Sequence, residues 1–141
     1  MAVKDYTTSK DGIELQFAAN HIGHFLLTNL LVPEIIAAGP DSRIINVSSL
    51  GYMSGGVHFD DPNFKNGAEY NPWYAYSQSK TANILFSSAL ANKLKKKDVH
   101  VFSLNPGLIL ESRLQTNVTQ VCYIPFPRSP RFLSGELRCS I

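Results

Sequence analysis

Two short apolar runs with a long helical pattern between them most constrain what this chain folds into. Residues 43–47 and 99–104 are rich in β-branched side chains and end at turn signals, which predicts two buried strands. Between them, Asn71 and Pro72 have the pattern of a helix N-cap and first helical position, and apolar residues recur at helical spacing to about Lys97. Strands joined by a helix lie parallel in a right-handed crossover, so the sequence predicts the α/β class.

A further helix is predicted before the first strand. Asp11, followed by Glu14, has the spacing of a capping box, and apolar residues then recur at helical spacing. The pattern continues to about Ala38, where Gly39 gives a stop signal. Residues 51–71 hold several glycines and no period, which predicts a long irregular excursion before the second helix.

Composition and charge exclude several classes of protein. The 141 residues include 13 Lys and Arg and 11 Asp and Glu, a formal net charge of +2. The chain therefore lacks the clustered positive charge that binding to nucleic acids or anionic membranes requires. No apolar run approaches the roughly 18 residues of a membrane span, and no signal peptide is recognisable. Cys122 and Cys139 both fall in residues 119–141, a proline-rich stretch that is predicted to be irregular. A reducing, cytoplasmic location is therefore expected.

Two histidines on the predicted first helix are candidate metal ligands. His21 and His24 lie three residues apart, but no third ligand stands at a useful spacing. The histidines are therefore interpreted as packing or surface residues, and no metal site is expected.

Tyr76 and Lys80 lie four residues apart on the second helix, which places both side chains on one face. A tyrosine hydroxyl is a poor base at neutral pH, but a neighbouring ammonium favours the phenolate. Such a pair is also common as a surface lysine beside a half-buried tyrosine. The spacing alone therefore does not decide between chemistry and packing.

Polar residues converge on one edge of the predicted sheet. Residues 46–49 follow the first strand and residues 105–107 follow the second, and the carboxyl edge of a parallel sheet is where such folds bind ligands. Asn20 and Gly23 lie on the preceding helix, where the glycine permits close approach to a neighbour. This context favours a site built around the tyrosine and the lysine.

Taken together, these residues resemble the short-chain dehydrogenase/reductase family, and within it the retinol dehydrogenase and WW-domain oxidoreductase branch. The likeness covers roughly residues 1–118 and includes four motifs in the family's order. It implies the second half of a Rossmann-type, doubly wound parallel sheet, forming the catalytic half of the family's domain. The matching motifs are N-x-x-G at Asn20 to Gly23, a strand leading to Ser49, Y-x-x-x-K at Tyr76 to Lys80, and P-G at Pro106 and Gly107.

The resemblance also implies roles for four residues. Tyr76 would be the general acid and base on a carbonyl or carbinol oxygen, and Lys80 would favour its phenolate form and contact the nicotinamide ribose. Ser49 would hydrogen-bond the substrate oxygen. Asn20 would hold the water of a proton relay.

The implied cofactor is NADP or NAD, with NADP the first choice, and the implied substrate is a small alcohol or carbonyl compound. Besides Tyr76 and Lys80, the expected cofactor contacts are Pro106, Gly107 and the backbone of Ile109. The hydride would come from the nicotinamide.

Two departures from the family pattern affect these expectations. The Gly-rich turn T-G-x-x-x-G-x-G, which binds the cofactor pyrophosphate in the family, does not occur in the sequence, and neither does N-N-A-G. Glu111 stands where the family usually has threonine. The chain is therefore expected to lack half of the cofactor-binding domain and to be inactive alone, as a splice product or incomplete gene model.

A function of another class is also consistent with the sequence. In the family, the helices that carry Asn20 and Tyr76 commonly pack into a dimer interface. The chain is alternatively a non-catalytic fragment that docks onto a full-length paralogue through these helices, as a homo- or hetero-dimer.

Overall fold

A two-stranded parallel sheet packed against helices makes up the part of the chain described by the computed structural model, residues 2–107. The chain begins with the short helix α1 (Leu15–Phe17), a π-helical turn (Ala18–Ile22) and the helix α2 (Gly23–Ala37). Strand β1 (Ser42–Val47), helix α3 (Pro72–Leu94) and strand β2 (Val99–Leu104) follow. Short 3-10 helices lie at Leu50–Ser54, Lys65–Gly67 and Lys95–Lys97.

The strands pair as the sequence predicts. β1 and β2 are parallel and in register from Ser42 opposite Val99 to Val47 opposite Leu104. β1 begins one residue before the predicted run, and β2 has the predicted bounds. The α/β class and the partial Rossmann-type sheet are therefore confirmed. Residues 108–118 of the predicted catalytic half and the predicted tail lie outside the described residues.

The predicted start of the first helix is wrong. The N-cap is Glu14, whose carboxylate accepts from the backbone of Gln16 at 2.9 Å and of Phe17 at 2.7 Å. The Asp11 backbone instead donates to Ser9 Oγ at 3.2 Å. Residues 9–12 form a turn, with the Gly12 N–H donating to the Ser9 carbonyl at 3.1 Å, and an antiparallel bridge between Thr8 and Glu14 closes it, so the helix cannot begin earlier.

The helix of the crossover begins at the predicted cap. Asn71 Oδ1 accepts from the backbone N–H groups of Trp73 at 2.9 Å and Tyr74 at 3.2 Å, and Pro72 occupies the first helical position. The α-helix ends at Leu94 and a single 3-10 turn completes the predicted length. Asp98 then adopts φ = 52°, which turns the chain into β2.

The core lies on one face of the sheet. Side chains of β1, α3 and β2 meet there, and part of α2 packs against them. The buried members are Ile44, Leu90, Leu94 and Val99, with Val32, Ile35, Ile36, Phe86 and Val101 partly buried around them. On the opposite face, Ile45, Val47, Phe102 and Leu104 are about half exposed within the described residues. None of the described helices has the length and apolar character needed to cross a bilayer.

Two leucines of α3 test this assignment of the core. Leu90 is 6% exposed and Leu85 is 48% exposed on the same helix. Leu90→Ala should lower the free energy of unfolding of the 141-residue chain by about 2–5 kcal/mol, because it opens a cavity in the core. Leu85→Ala should change it by less than about 0.5 kcal/mol. Urea denaturation measures both, and equal losses would contradict this placement of the core.

Candidate active site

Tyr76 and Lys80 occupy successive turns of α3 and share one face. Lys80 Nζ lies 5.7 Å from the centroid of the Tyr76 ring, within the range of a cation–π contact. The ammonium also donates to the carbonyl of Val47, at the end of β1, at 3.2 Å. Burial lowers the pKa of the Lys80 ammonium below its ordinary value. The lysine is therefore held between the tyrosine and the carboxyl edge of the sheet.

Ser49 and Tyr76 meet around Gly51. Ser49 caps the 3-10 helix after β1, and its Oγ accepts from the backbone of Gly51 at 3.2 Å. A Cβ on Gly51 would lie 2.8 Å from Tyr76 Cε1 and 3.5 Å from Ser49 Oγ. The ring edge and the hydroxyl thus lie beside the same point, and any larger residue there would displace the ring. The structure therefore brings this serine and this tyrosine together.

Asn20 lies in the π-helical turn between α1 and α2 and faces α3. Its Nδ2 donates to Ser79 Oγ at 3.1 Å, and Ser79 Oγ donates to the carbonyl of Tyr76 at 2.7 Å. The Asn20 carbonyl accepts from Asn83 Nδ2 at 3.1 Å, and it is 2.9 Å from His24 Nδ1. Asn20 is thereby fixed to the segment that joins the tyrosine and the lysine.

The residues between the tyrosine and the lysine hold the loop that follows Ser49. Ser77 and Gln78 are fully buried. Ser77 Oγ donates to the Gly55 carbonyl at 2.9 Å, and Gln78 Nε2 donates to the Pro62 carbonyl at 3.0 Å. Gln78 Oε1 accepts from the backbone of residue 58 at 2.9 Å. These polar side chains fix the loop onto α3 beside the candidate site.

Asn83 is not among the residues that the motifs predict. It is 3% exposed, and its Nδ2 donates to the carbonyls of Asn20 at 3.1 Å and Val47 at 3.2 Å. Its Oδ1 lies 3.0 Å from His21 Nδ1. The sequence signal that could have identified Asn83 is its position three residues after Lys80, which places it on the same face of the helix.

The end of β2 supplies exposed backbone at the same edge. Val47 and Leu104 are partners in the sheet, so Pro106 and Gly107 follow β2 where Ser49 follows β1. Gly107 has φ = 83°, and nothing lies within 4 Å of the point where a Cβ would be. Ile109, predicted to contact the nicotinamide, and Glu111 lie outside the described residues.

This donor set suits a nicotinamide ribose and carboxamide. Within residues 2–107 the Lys80 ammonium donates one hydrogen bond, to the Val47 carbonyl, so an ammonium with three donors retains N–H groups for ribose hydroxyls. The backbone of residues 105–107 is exposed at the same edge. The residues present therefore fit the nicotinamide half of the cofactor.

Of the two histidines of the first helical stretch, His21 packs against aromatic rings and His24 is exposed. Besides its contact with Asn83, the His21 ring lies 5.2 Å from that of Phe17 and 6.0 Å from that of Phe86, centroid to centroid. Burial lowers the pKa of the His21 imidazole, and its hydrogen bond to Asn83 opposes that effect. Within residues 2–107, no three His, Cys, Asp or Glu side chains cluster in a way that could hold a metal ion.

Comparison with curated proteins places the chain among dehydrogenases. No family model matches it. Mouse retinol dehydrogenase 14 is 43% identical over 127 residues, which are 90% of this chain and 36% of the relative. Human retinol dehydrogenase 13 is 48% identical over 101 residues, covering 72% of this chain and 30% of the relative. The chain thus spans about a third of the length of these curated relatives.

Two further comparisons agree with these. The chloroplastic short-chain dehydrogenase TIC 32 A of Brassica napus is 44% identical over 116 residues, with 74% of this chain and 35% of the relative covered. The crystal structure of an uncharacterized protein from Mycobacterium paratuberculosis superposes with a TM-score of 0.68 at 39% identity, covering 83% of this chain and 41% of that one. By its sequence, and by the fold that it shares with this structure, the chain belongs to the short-chain dehydrogenase/reductase family.

Proposed function

We propose that the chain carries the acid–base residues of an NAD(P)-dependent oxidoreductase that interconverts an alcohol and a carbonyl compound. One observation carries the proposal: the Tyr76 ring edge and Ser49 Oγ lie beside the same point at Gly51, while the Lys80 ammonium lies 5.7 Å from the ring centroid. A hydroxyl, a phenol and an ammonium grouped at the carboxyl edge of a parallel sheet suit proton transfer to a substrate oxygen.

The proposed mechanism follows from these groups. In the reducing direction Tyr76 donates its phenolic proton to the carbonyl oxygen as that oxygen gains negative charge, and Ser49 donates a hydrogen bond to the same oxygen. The Lys80 ammonium stabilises the phenolate left on Tyr76. In the oxidising direction the phenolate accepts the proton of the alcohol. Asn20 is proposed to hold the water of a proton relay, and the hydrogen bond from Asn83 Nδ2 to its carbonyl fixes its place.

Four residues are proposed to hold the cofactor besides Tyr76. Lys80 would donate to the ribose, and the backbone at Pro106, Gly107 and Ile109 would contact the carboxamide. A bound nicotinamide supplies or accepts the hydride, and NADP is proposed ahead of NAD. Because the 141 residues include no Gly-rich phosphate-binding turn, we propose that this chain alone binds the dinucleotide weakly and is inactive.

An apolar substrate is proposed for the same site. Two of the curated relatives are named as retinol dehydrogenases, and retinol is an apolar alcohol. In this chain the 3-10 helix directly after Ser49 exposes Leu50 by 45%, Tyr52 by 42% and Met53 by 60%. These side chains would form an apolar rim beside the hydroxyl that binds the substrate oxygen. A cytoplasmic location is also proposed, because both cysteines lie in residues 119–141 and no disulfide framework is expected.

The second candidate function is docking onto a full-length family member. It is favoured by α2, in which no residue is fully buried and Leu26, Leu27 and Leu30 are each more than half exposed. Neighbouring exposed leucines on one helix are typical of a surface that a partner covers. We propose that a full-length member of the family, or a second copy of this chain, covers α2 and the neighbouring face of α3.

Cofactor affinity tests the proposed weakness of the isolated chain. Titration of the 141-residue chain with NADPH, followed by protein fluorescence, should give a Kd above roughly 100 µM, because the contacts to the diphosphate are not encoded. A Kd of a few micromolar would show that the described half binds the dinucleotide without the Gly-rich turn.

A chimera tests the proposed chemistry. The matching stretch of human retinol dehydrogenase 13 is replaced by the corresponding residues of this chain, which are 48% identical over 101 residues. Tyr76→Phe in this chimera should lower kcat by about 100-fold or more, since it removes the general acid and base. Steady-state oxidation of retinol with NADP measures the effect.

Tyr74→Phe is the matched control for that substitution. Tyr74 lies on the same helix, is 53% exposed, and is not part of the candidate site. It should leave kcat close to that of the parent chimera. If the two substitutions lower kcat equally, Tyr76 is not the acid–base group.

Co-purification tests the docking candidate. Leu30→Glu places a charge on the exposed apolar face of α2 and should abolish co-purification with a full-length family member, because the charge would be desolvated in the contact. Asn29→Glu adds the same charge to an exposed position of the same helix without removing apolar surface, and should retain binding. Tyr76→Phe should also bind. Loss of binding in all three variants would contradict docking through this face.

A further inference from the structure

We propose that Asn83 is a positioning residue that sets the place of the Lys80 ammonium, by tying the carbonyls of Asn20 and Val47 to one buried amide. The inference deepens the proposed function, on which it rests, because it concerns the same site. Asn83 does not reach the reacting atoms and would act through the lysine and the two carbonyls.

The hydrogen bonds determine which way the Asn83 amide points. The carbonyls of Asn20 and Val47 only accept, so the group facing them at 3.1 and 3.2 Å is the NH₂ of the amide. The amide oxygen therefore faces His21 Nδ1 at 3.0 Å, and that nitrogen carries a proton. Protonation of the second ring nitrogen would keep this bond, so the arrangement holds in both charge states of His21.

The Val47 carbonyl is where Asn83 and Lys80 meet. Both Asn83 Nδ2 and Lys80 Nζ donate to it at 3.2 Å. A carbonyl oxygen has two lone pairs, so the buried amide occupies one and the ammonium takes the other. Asn83 also ties this carbonyl to the π-helical turn through Asn20. The ammonium is therefore bound to a carbonyl whose position relative to Asn20 is fixed.

Ser87 distinguishes positioning from ordinary burial. It is 3% exposed, as is Asn83, and lies one turn further along α3. Its Oγ accepts from Asn46 Nδ2 at 2.9 Å and donates to the Asn83 carbonyl at 2.8 Å. Its hydrogen bonds reach neither Lys80 nor Val47. Removing this hydroxyl should destabilise the fold without moving the ammonium.

The experiment measures the pKa of Lys80 in the full chain by NMR of lysines labelled with ¹³C at Cε, the Lys80 signal being assigned by its loss in Lys80→Arg. Asn83→Ala should raise that pKa toward its ordinary value by about half a unit or more, because water reaches the ammonium. Ser87→Ala should lower the unfolding midpoint and leave that pKa unchanged. An unchanged pKa in Asn83→Ala, or equal shifts in both variants, would overturn the proposal.

A second variant covers the case in which Asn83→Ala does not fold. His21→Phe preserves ring packing against Phe17 and Phe86 but removes the donor to the Asn83 amide oxygen. The Lys80 pKa should then rise, because the Asn83 amide is no longer held in place, and an unchanged pKa would overturn the proposal. Neither measurement requires turnover, so a chimera that keeps its kcat after Tyr76→Phe would contradict the proposed function while leaving this result interpretable.

Discussion

The geometry of the candidate site depends on polar side chains of α3 that are buried and form hydrogen bonds to protein groups instead of to water. Ser77, Gln78, Ser79 and Asn83 are each at most 3% exposed. A buried donor or acceptor without a partner costs about 1–3 kcal/mol, so each of these side chains requires the segment that it bonds to stay in place. The loop after β1, the π-helical turn and the end of β1 are therefore held to one helix.

Within the Tyr76-to-Lys80 motif, the two end residues are placed for chemistry and the residues between them hold the surrounding structure. Tyr76 and Lys80 are half-buried, and the Lys80 ammonium donates a single hydrogen bond to the residues that the structure describes. The three residues between them are buried, and the side chain of each is hydrogen-bonded to protein. A reactive group must be accessible to substrate, yet its place must not vary. Placing the support on adjacent residues of the same helix meets both needs, because a rigid helix fixes the reactive side chains relative to the supporting ones.

The sequence predicts the features that depend on local signals. β-branched runs predicted both strands, and Asn71 with Pro72 predicted the start of α3, because the cap is formed by residues next to one another. The capping box at Asp11 failed because Asp11 lies in a turn that the bridge from Thr8 to Glu14 closes. The motifs identified Ser49, Tyr76 and Lys80 but not Asn83. The role of a polar residue on the inward face of a helix depends on the carbonyls that the fold places beside it, and the sequence does not show which carbonyls these are.

The uncovered apolar surfaces and the candidate site occupy different parts of the described structure. The hydrogen bonds that join Asn20, Lys80, Asn83 and the end of β1 all lie within residues 20–83. The exposed leucines of α2 and the exposed sheet side chains make none of these bonds. Overall stability should therefore depend on what covers the apolar faces, because burial of apolar area dominates folding. The relative placement of the reactive groups depends instead on polar contacts that these residues already make among themselves.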